Sequence, residues 1–151
     1  MTGSKWPPTS RSVKIFSGFG FYFLLAAAML SGCNPPADYA LVGSAFVPAA
    51  HGDIRIEKID KQQKLITVTM DHLPLPEEIE AGVTHYVVWF AAVGALPTRE
   101  GVLEYDRETR VGRASIPTSM LDFDIRVTAE QSDSPVQPSD LVVASQRVRE
   151  Q

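Results

Sequence analysis

The sequence predicts a small all-β domain, an immunoglobulin-like antiparallel β-sandwich of about seven to eight strands, preceded by a cleaved export segment. Three observations predict it. Short stretches alternate apolar and polar residues with a period of two, and turn residues punctuate them at the spacing of an all-β domain. No stretch keeps helical periodicity over the roughly ten residues a helix needs, residues 77–81 after Pro76 being at most one turn. Of 151 residues, 119 remain once the first 32 are removed, enough for one domain with a sandwich-sized core.

The export segment comes first. Residues 1–14 carry Lys5, Arg11 and Lys14 and no acid, residues 15–29 are an uncharged apolar run, and small residues follow. That order of charged, apolar and small is that of a secretory signal peptide, residues 1–32. The competing reading is an uncleaved transmembrane helix within residues 15–37. Gly18, Gly20, Gly32, Asn34, Pro35 and Pro36 shorten the strongly apolar portion and weigh against it.

The exit tetrapeptide Leu30-Ser31-Gly32-Cys33 resembles the lipobox of bacterial lipoproteins at each position. A thiolate is a strong nucleophile for taking an acylglyceryl group, and small neighbours leave the backbone open to processing enzymes. The resemblance implies cleavage between Gly32 and Cys33, diacylglycerol on the Cys33 sulfur and an N-acyl chain on its new amine. Two or three acyl chains hold a protein to a membrane durably, where one is marginal. In Gram-negative lipoproteins an Asp after the cysteine retains the protein in the inner membrane; Asn34 stands there, which favours the outer membrane.

Residues 33–39 are expected to be the lipidated cysteine and a short, stiff tether, because Pro35 and Pro36 hinder both strand and helix. The sandwich is expected over residues 40–151. Cys33 is the sole cysteine, so there is no intrachain disulfide. All 18 acidic residues lie after Cys33 but only eleven of the 14 basic ones, a net of −7 on the mature part against −4 for the whole chain. Such a surface disfavours nucleic acid and leaves membrane association to the lipid.

Within the domain, Ile54 and Ile56 alternate with Arg55 and Glu57, and Ile66, Val68 and Met70 alternate with Thr67 and Thr69. Residues 60–64 between them suit a hairpin. Tyr86-Val87-Val88-Trp89-Phe90 is apolar on both parities, which marks a central strand covered on both faces. In 123–129, Phe123, Ile125, Val127 and Ala129 point one way and Asp124, Arg126 and Thr128 the other, so one buried face is expected. Residues 40–47, 102–105, 111–116 and 141–148 are weaker candidates. Tyr86, Trp89, Phe90 and Phe123 are expected to be core aromatics.

From His72 onward, the order of features resembles the extracytoplasmic C-terminal β-sandwich domain of anti-sigma-K type factors. The matching stretches are Leu73-Pro74-Leu75-Pro76, the run from Gly82 through His85 to Trp89, Gly101-Val102-Leu103, the run from Phe123 to Glu130, and Pro138-Ser139. The resemblance implies the sandwich and an extracytoplasmic location. It does not imply sigma-factor control, which needs a cytoplasmic domain that 14 residues cannot form.

Chemistry-bearing motifs are sparse. His51, His72 and His85 lack metal-ligand spacing and are expected at the surface. No nucleophile elbow, phosphate-binding glycine loop or nucleotide fingerprint occurs. Glu104, Asp106 and Glu108 are weak calcium candidates, with Asp122 and Asp124 a second acidic pair; Arg107 and Arg110 favour a salt-bridged turn instead. The expectation is a non-enzymatic, lipid-anchored module of the envelope, with no cofactor beyond the lipid on Cys33. It meets the membrane through that anchor, binds an envelope protein or polysaccharide, and takes neither nucleic acid nor nucleotide. The alternatives are an envelope hydrolase or metal-dependent enzyme with a loop-assembled site, and a passive spacer or structural subunit.

Overall fold

A computed structural model describes Gly3 and residues 37–149. Nine strands and one helical turn follow in order: β1 (Ala37–Val42), β2 (His51–Lys58), β3 (Lys64–Asp71), α1 (Pro76–Ile79), β4 (His85–Ala92), β5 (Thr98–Val102), β6 (Glu104–Asp106), β7 (Val111–Thr118), β8 (Phe123–Glu130) and β9 (Val142–Val148). They form two antiparallel sheets, β1-β2-β3-β7-β6 and β5-β4-β8-β9. With β1 set aside, that order is the immunoglobulin Greek key with β5 as an added edge strand. The unit from Pro35 to Gln151 is compact and holds both sheets and the whole core. Among the described residues no helix is long and apolar enough to cross a membrane.

The alternation in the sequence sets the register. Ile54 pairs with Val68 and Ile56 with Ile66, so the apolar parity of β2 and β3 falls on one face of the first sheet. In the second sheet Tyr86, Val88 and Phe90 of β4 face the same way as Phe123, Ile125, Val127 and Ala129 of β8. The two faces close on each other as one core. Phe90 and Phe123 pack at 4.8 Å between ring centroids at its centre.

Nine strands stand where seven or eight were expected, because residues 98–106 split. Leu103 is buried and its N–H bonds the Tyr86 carbonyl at 2.8 Å. That pins the crossover between β5 in one sheet and β6 in the other. The expected strand at 40–47 is displaced too: β1 begins at Ala37, inside the expected tether. Ala37 pairs with Ile56 and Asp38 with Arg55, whose guanidinium lies 3.5 Å from the Asp38 carboxylate. Pairing with β2 therefore carries the sheet three residues, 37–39, into the stretch expected to be the tether. Pro117 is tolerated in β7 because the outer neighbour β6 pairs only with residues 111–113, leaving that edge without a donor to lose.

The first and last strands close one side of the sandwich. Gly43 and Ala144 form a bridge, Ser44 N–H donates to the Val143 carbonyl at 2.7 Å, and the Tyr39 hydroxyl donates to the Arg149 carbonyl at 2.6 Å.

Two substitutions test this packing. Phe90→Ala is expected to cost about 3–5 kcal/mol in urea denaturation through the cavity it leaves. Gly52→Ala is expected to cost about 1–3 kcal/mol, because its new methyl would meet the Thr69 carbonyl oxygen on the neighbouring strand. A Gly52→Ala midpoint equal to that of the parent would refute the close strand approach.

Candidate functional site

Cys33 and Gly32, the expected lipidation and cleavage positions, lie outside the described residues. The other candidates fall in three places.

The first is the outer face of the second sheet. The single buried face expected for β8 is corrected: Thr128 and Glu130, on its outward parity, are buried as well. Their cover explains why. Trp89 is not in the inter-sheet core with Tyr86, Phe90 and Phe123; it points outward beside Val87 and is 1% exposed. Its indole N–H donates to Thr128 Oγ1 at 2.8 Å, and that hydroxyl donates to Glu130 Oε1. The same carboxylate oxygen accepts the Ser139 backbone N–H at 2.8 Å, and Ser139 Oγ donates to the Ala129 carbonyl at 2.9 Å. Arg99 of β5 reaches the Asp133 carbonyl at 3.4 Å. Residues 131–141 are therefore stitched to the sheet at both Glu130 and Arg99, and among the described residues no buried side-chain nitrogen or oxygen lacks a partner. Where this cover ends, an open groove of about 570 Å³ continues along the sheet. Small residues Ala91, Gly94, Ala95 and Ser145 line it with Arg126 and a bidentate Arg147–Asp124 pair, 2.7 and 2.9 Å. The Arg147 guanidinium holds the Asp124 carboxyl below its usual value.

The second place is the far end of the sandwich, where the stretch Leu73–Pro74 meets β6 and β7. The Tyr86 and Tyr105 hydroxyls both donate to the Pro74 carbonyl, at 2.7 and 2.9 Å, and their rings meet edge to face at 5.3 Å. Burial pushes both phenols up. The expected salt-bridged turn takes a different form. Arg107 pairs with Glu77 and Arg110 with Glu78 at 3.0 Å, so the arginines clamp α1 onto the β6–β7 turn and leave the turn's own acids. Glu78 also accepts the Leu75 N–H at 2.9 Å. The calcium candidates do not converge: Glu104 lies opposite Arg113 in the ladder, and Asp106 Oδ1 is taken by the N–H groups of Thr109 and Glu108, which hold its carboxyl low. No group of three His, Cys, Asp or Glu among the described residues is placed to hold a metal ion.

The third is a histidine pair. Two of the three separate histidines meet: His51 opens β2, His72 follows β3 with φ 56°, and their rings stack at 4.9 Å. His85, in the other sheet, bonds the Thr84 hydroxyl at 2.7 Å instead.

Comparison with known protein families, with curated proteins and with solved structures returns no match.

Thr128→Val is expected to cost about 1–3 kcal/mol, since it leaves the buried Trp89 N–H without a partner and takes from Glu130 Oε1 one of its two donors; a red-shifted Trp89 emission should accompany it. An unchanged melt and spectrum would mean that the cover does not depend on this chain of bonds.

The arginine pairs predict an acid limb. Glu77 and Glu78 are held below the usual 4.5 by Arg107 and Arg110, so the folded state binds protons less readily than the unfolded chain. Their contribution is complete above about pH 4.5 and is lost as pH falls below it. Melting temperature against pH should therefore drop less steeply below that point in Glu77→Gln/Glu78→Gln than in the parent; parallel curves would refute the linkage.

Proposed function

We propose that the chain is a lipid-anchored lipoprotein of a bacterial envelope, held to the outer membrane through Cys33, whose sandwich is a non-enzymatic module binding an envelope protein or polysaccharide. The observation that carries this reading is the adjacency of Leu30-Ser31-Gly32-Cys33 to a domain whose first strand begins only four residues later. An acylated sulfur so close to a folded unit needs no further segment to display that unit at a membrane. The groove beside Trp89 supports the binding part. It is concave, lined by small side chains that let a ligand backbone approach, and carries the Arg126 cation in its lining. The anti-sigma-K resemblance agrees with an extracytoplasmic sandwich.

Two measurements test the reading. Mass spectrometry of the mature N-terminus should find diacylglycerol and an N-acyl chain on Cys33, absent in Cys33→Ala; an intact Met1 or a bare thiol would sink the anchor. A tagged chain incubated with detergent-solubilised envelope should recover a component that Ala91→Arg and Arg126→Glu lose and Phe46→Ser retains. Repeated recovery of nothing, or equal recovery by all variants, would sink the binding groove.

A further inference from the structure

The strand order sends the connections to opposite ends of the sandwich. At one end lie the β2–β3 hairpin, the β4–β5 hairpin, the β7–β8 loop, the start of β1 and the close of β9. The β1–β2, β3–β4, β6–β7 and β8–β9 connections lie at the other. Ala37 pairs with Ile56, so the chain leaves toward Cys33 from the first of these ends. Four residues take the chain from Cys33 to Ala37, so the sulfur-bearing residue is within about 14 Å of the strand whatever its conformation.

Exposed apolar side chains occur at both ends, and at this one they coincide with the lysines. Seven large apolar side chains among the described residues are exposed, and four of them, Ile59, Val93, Leu96 and Leu121, sit on its three loop tips, each between 55% and 86% exposed. All three lysines that follow Cys33, Lys58, Lys61 and Lys64, flank the first tip. With Leu121 they line an open groove of about 790 Å³ between the β2–β3 hairpin and the β7–β8 loop. Asp60 lines the same groove, its carboxylate accepting the Gln62 and Gln63 N–H groups at 2.7 and 2.8 Å.

Charge is divided between the ends. The connections at that end, residues 59–63, 93–97 and 119–122, carry Lys61 against Asp60 and Asp122, a net of −1, and Lys58 and Lys64 stand at the strand ends on either side of the first of them. The opposite connections, residues 43–50, 72–84, 107–110 and 131–141, carry two arginines against six carboxylates, a net of −4. The acidic excess of the domain therefore points away from the end where the chain leaves for Cys33. An anionic surface attracts the lysines and repels the far end, which orients the domain as well as drawing it in. Apolar tips with lysines on one of the three suit the boundary between headgroups and acyl chains.

We infer that this end of the sandwich lies flat on an anionic phospholipid surface, with Leu96 and Leu121 at the acyl boundary and Lys58, Lys61 and Lys64 among the headgroup phosphates. The inference rests on the membrane anchor proposed above. It makes the domain a seated module of fixed orientation, with the clamp of α1 and the His51–His72 pair held outward.

The test uses the chain purified from membranes and returned to vesicles of phosphatidylcholine and phosphatidylglycerol with brominated acyl chains. Leu96→Trp and Leu121→Trp should each lose about half of their added emission to the bromines, since insertion reaches the upper acyl carbons. Phe46→Trp, on an exposed loop of the opposite end, should lose none. The quenching should disappear in Lys58→Glu/Lys61→Glu/Lys64→Glu and in vesicles of phosphatidylcholine alone. Emission at 96 and 121 that is no more quenched than at 46 would overturn the inference, and a dimer in sedimentation in that case would assign the apolar tips to a second copy. The mass of the same preparation separates the two claims. Lipid on Cys33 with unquenched tips removes the seating and keeps the anchor. Quenched tips with a bare Cys33 keep the seating and remove the anchor, and neither lipid nor quenching removes both.

Discussion

The arrangement depends on burying one strand on both of its faces. β4 offers Tyr86, Val88 and Phe90 to the inter-sheet core and Val87 and Trp89 to the opposite side, so neither face can be left to water without exposing large apolar area. The inward face is covered by the first sheet. The outward face has no third layer, and a loop of mostly polar and proline-bearing residues has to do the same task. A loop over an apolar floor must satisfy its own backbone, and the Trp89–Thr128–Glu130–Ser139 chain does so: each buried donor there meets an acceptor. Glu130 is consequently a structural acid, despite lying in the strand that carries the most regular sequence pattern.

What was legible in the residues follows from how locally each feature is encoded. The double-parity run at Tyr86–Phe90 announced a central strand, and the alternation at Ile54–Ile56 and Ile66–Met70 announced a hairpin whose register the structure keeps. β5 escaped notice because an edge strand of Thr98, Arg99, Glu100 and Gly101 has no buried face to leave a period-two trace. β6 is only three residues long, and β1 begins in a stretch whose prolines argued for a tether. Features made by distant pairs were invisible: the Trp89–Thr128 bond, the His51–His72 stack, and the Glu77–Arg107 and Glu78–Arg110 pairs join residues 21 or more positions apart. The resemblance of Leu30-Ser31-Gly32-Cys33 to a lipobox, in contrast, rests on contiguous residues and needs no fold to be noticed.

Antiparallel topology also sorts chemistry that the linear chain scatters. Residues near 60, 95 and 121 look unrelated in order, yet alternate connections of a Greek key return to the same end, so their apolar tips and lysines become one surface. The same rule collects the carboxylates of 77–80, 108, 133 and 140 at the other. A domain of uniformly acidic composition thereby becomes a charge dipole along its strands, and orientation becomes a property of topology plus a handful of surface residues.

The closure of β1 against both β2 and β9 has a mechanical consequence. Tension between the chain's start and the body of the domain enters at Ala37 and runs along β1, parallel to the strand and across its ladder. Six register pairs with β2 then carry the load together, with the Gly43–Ala144 bridge and the Tyr39–Arg149 bond as additional fastenings. Such a shear geometry fails only when many bonds give way at once, whereas pulling at right angles would open them singly. The strand that overran its expected boundary is thus the element that bears strain.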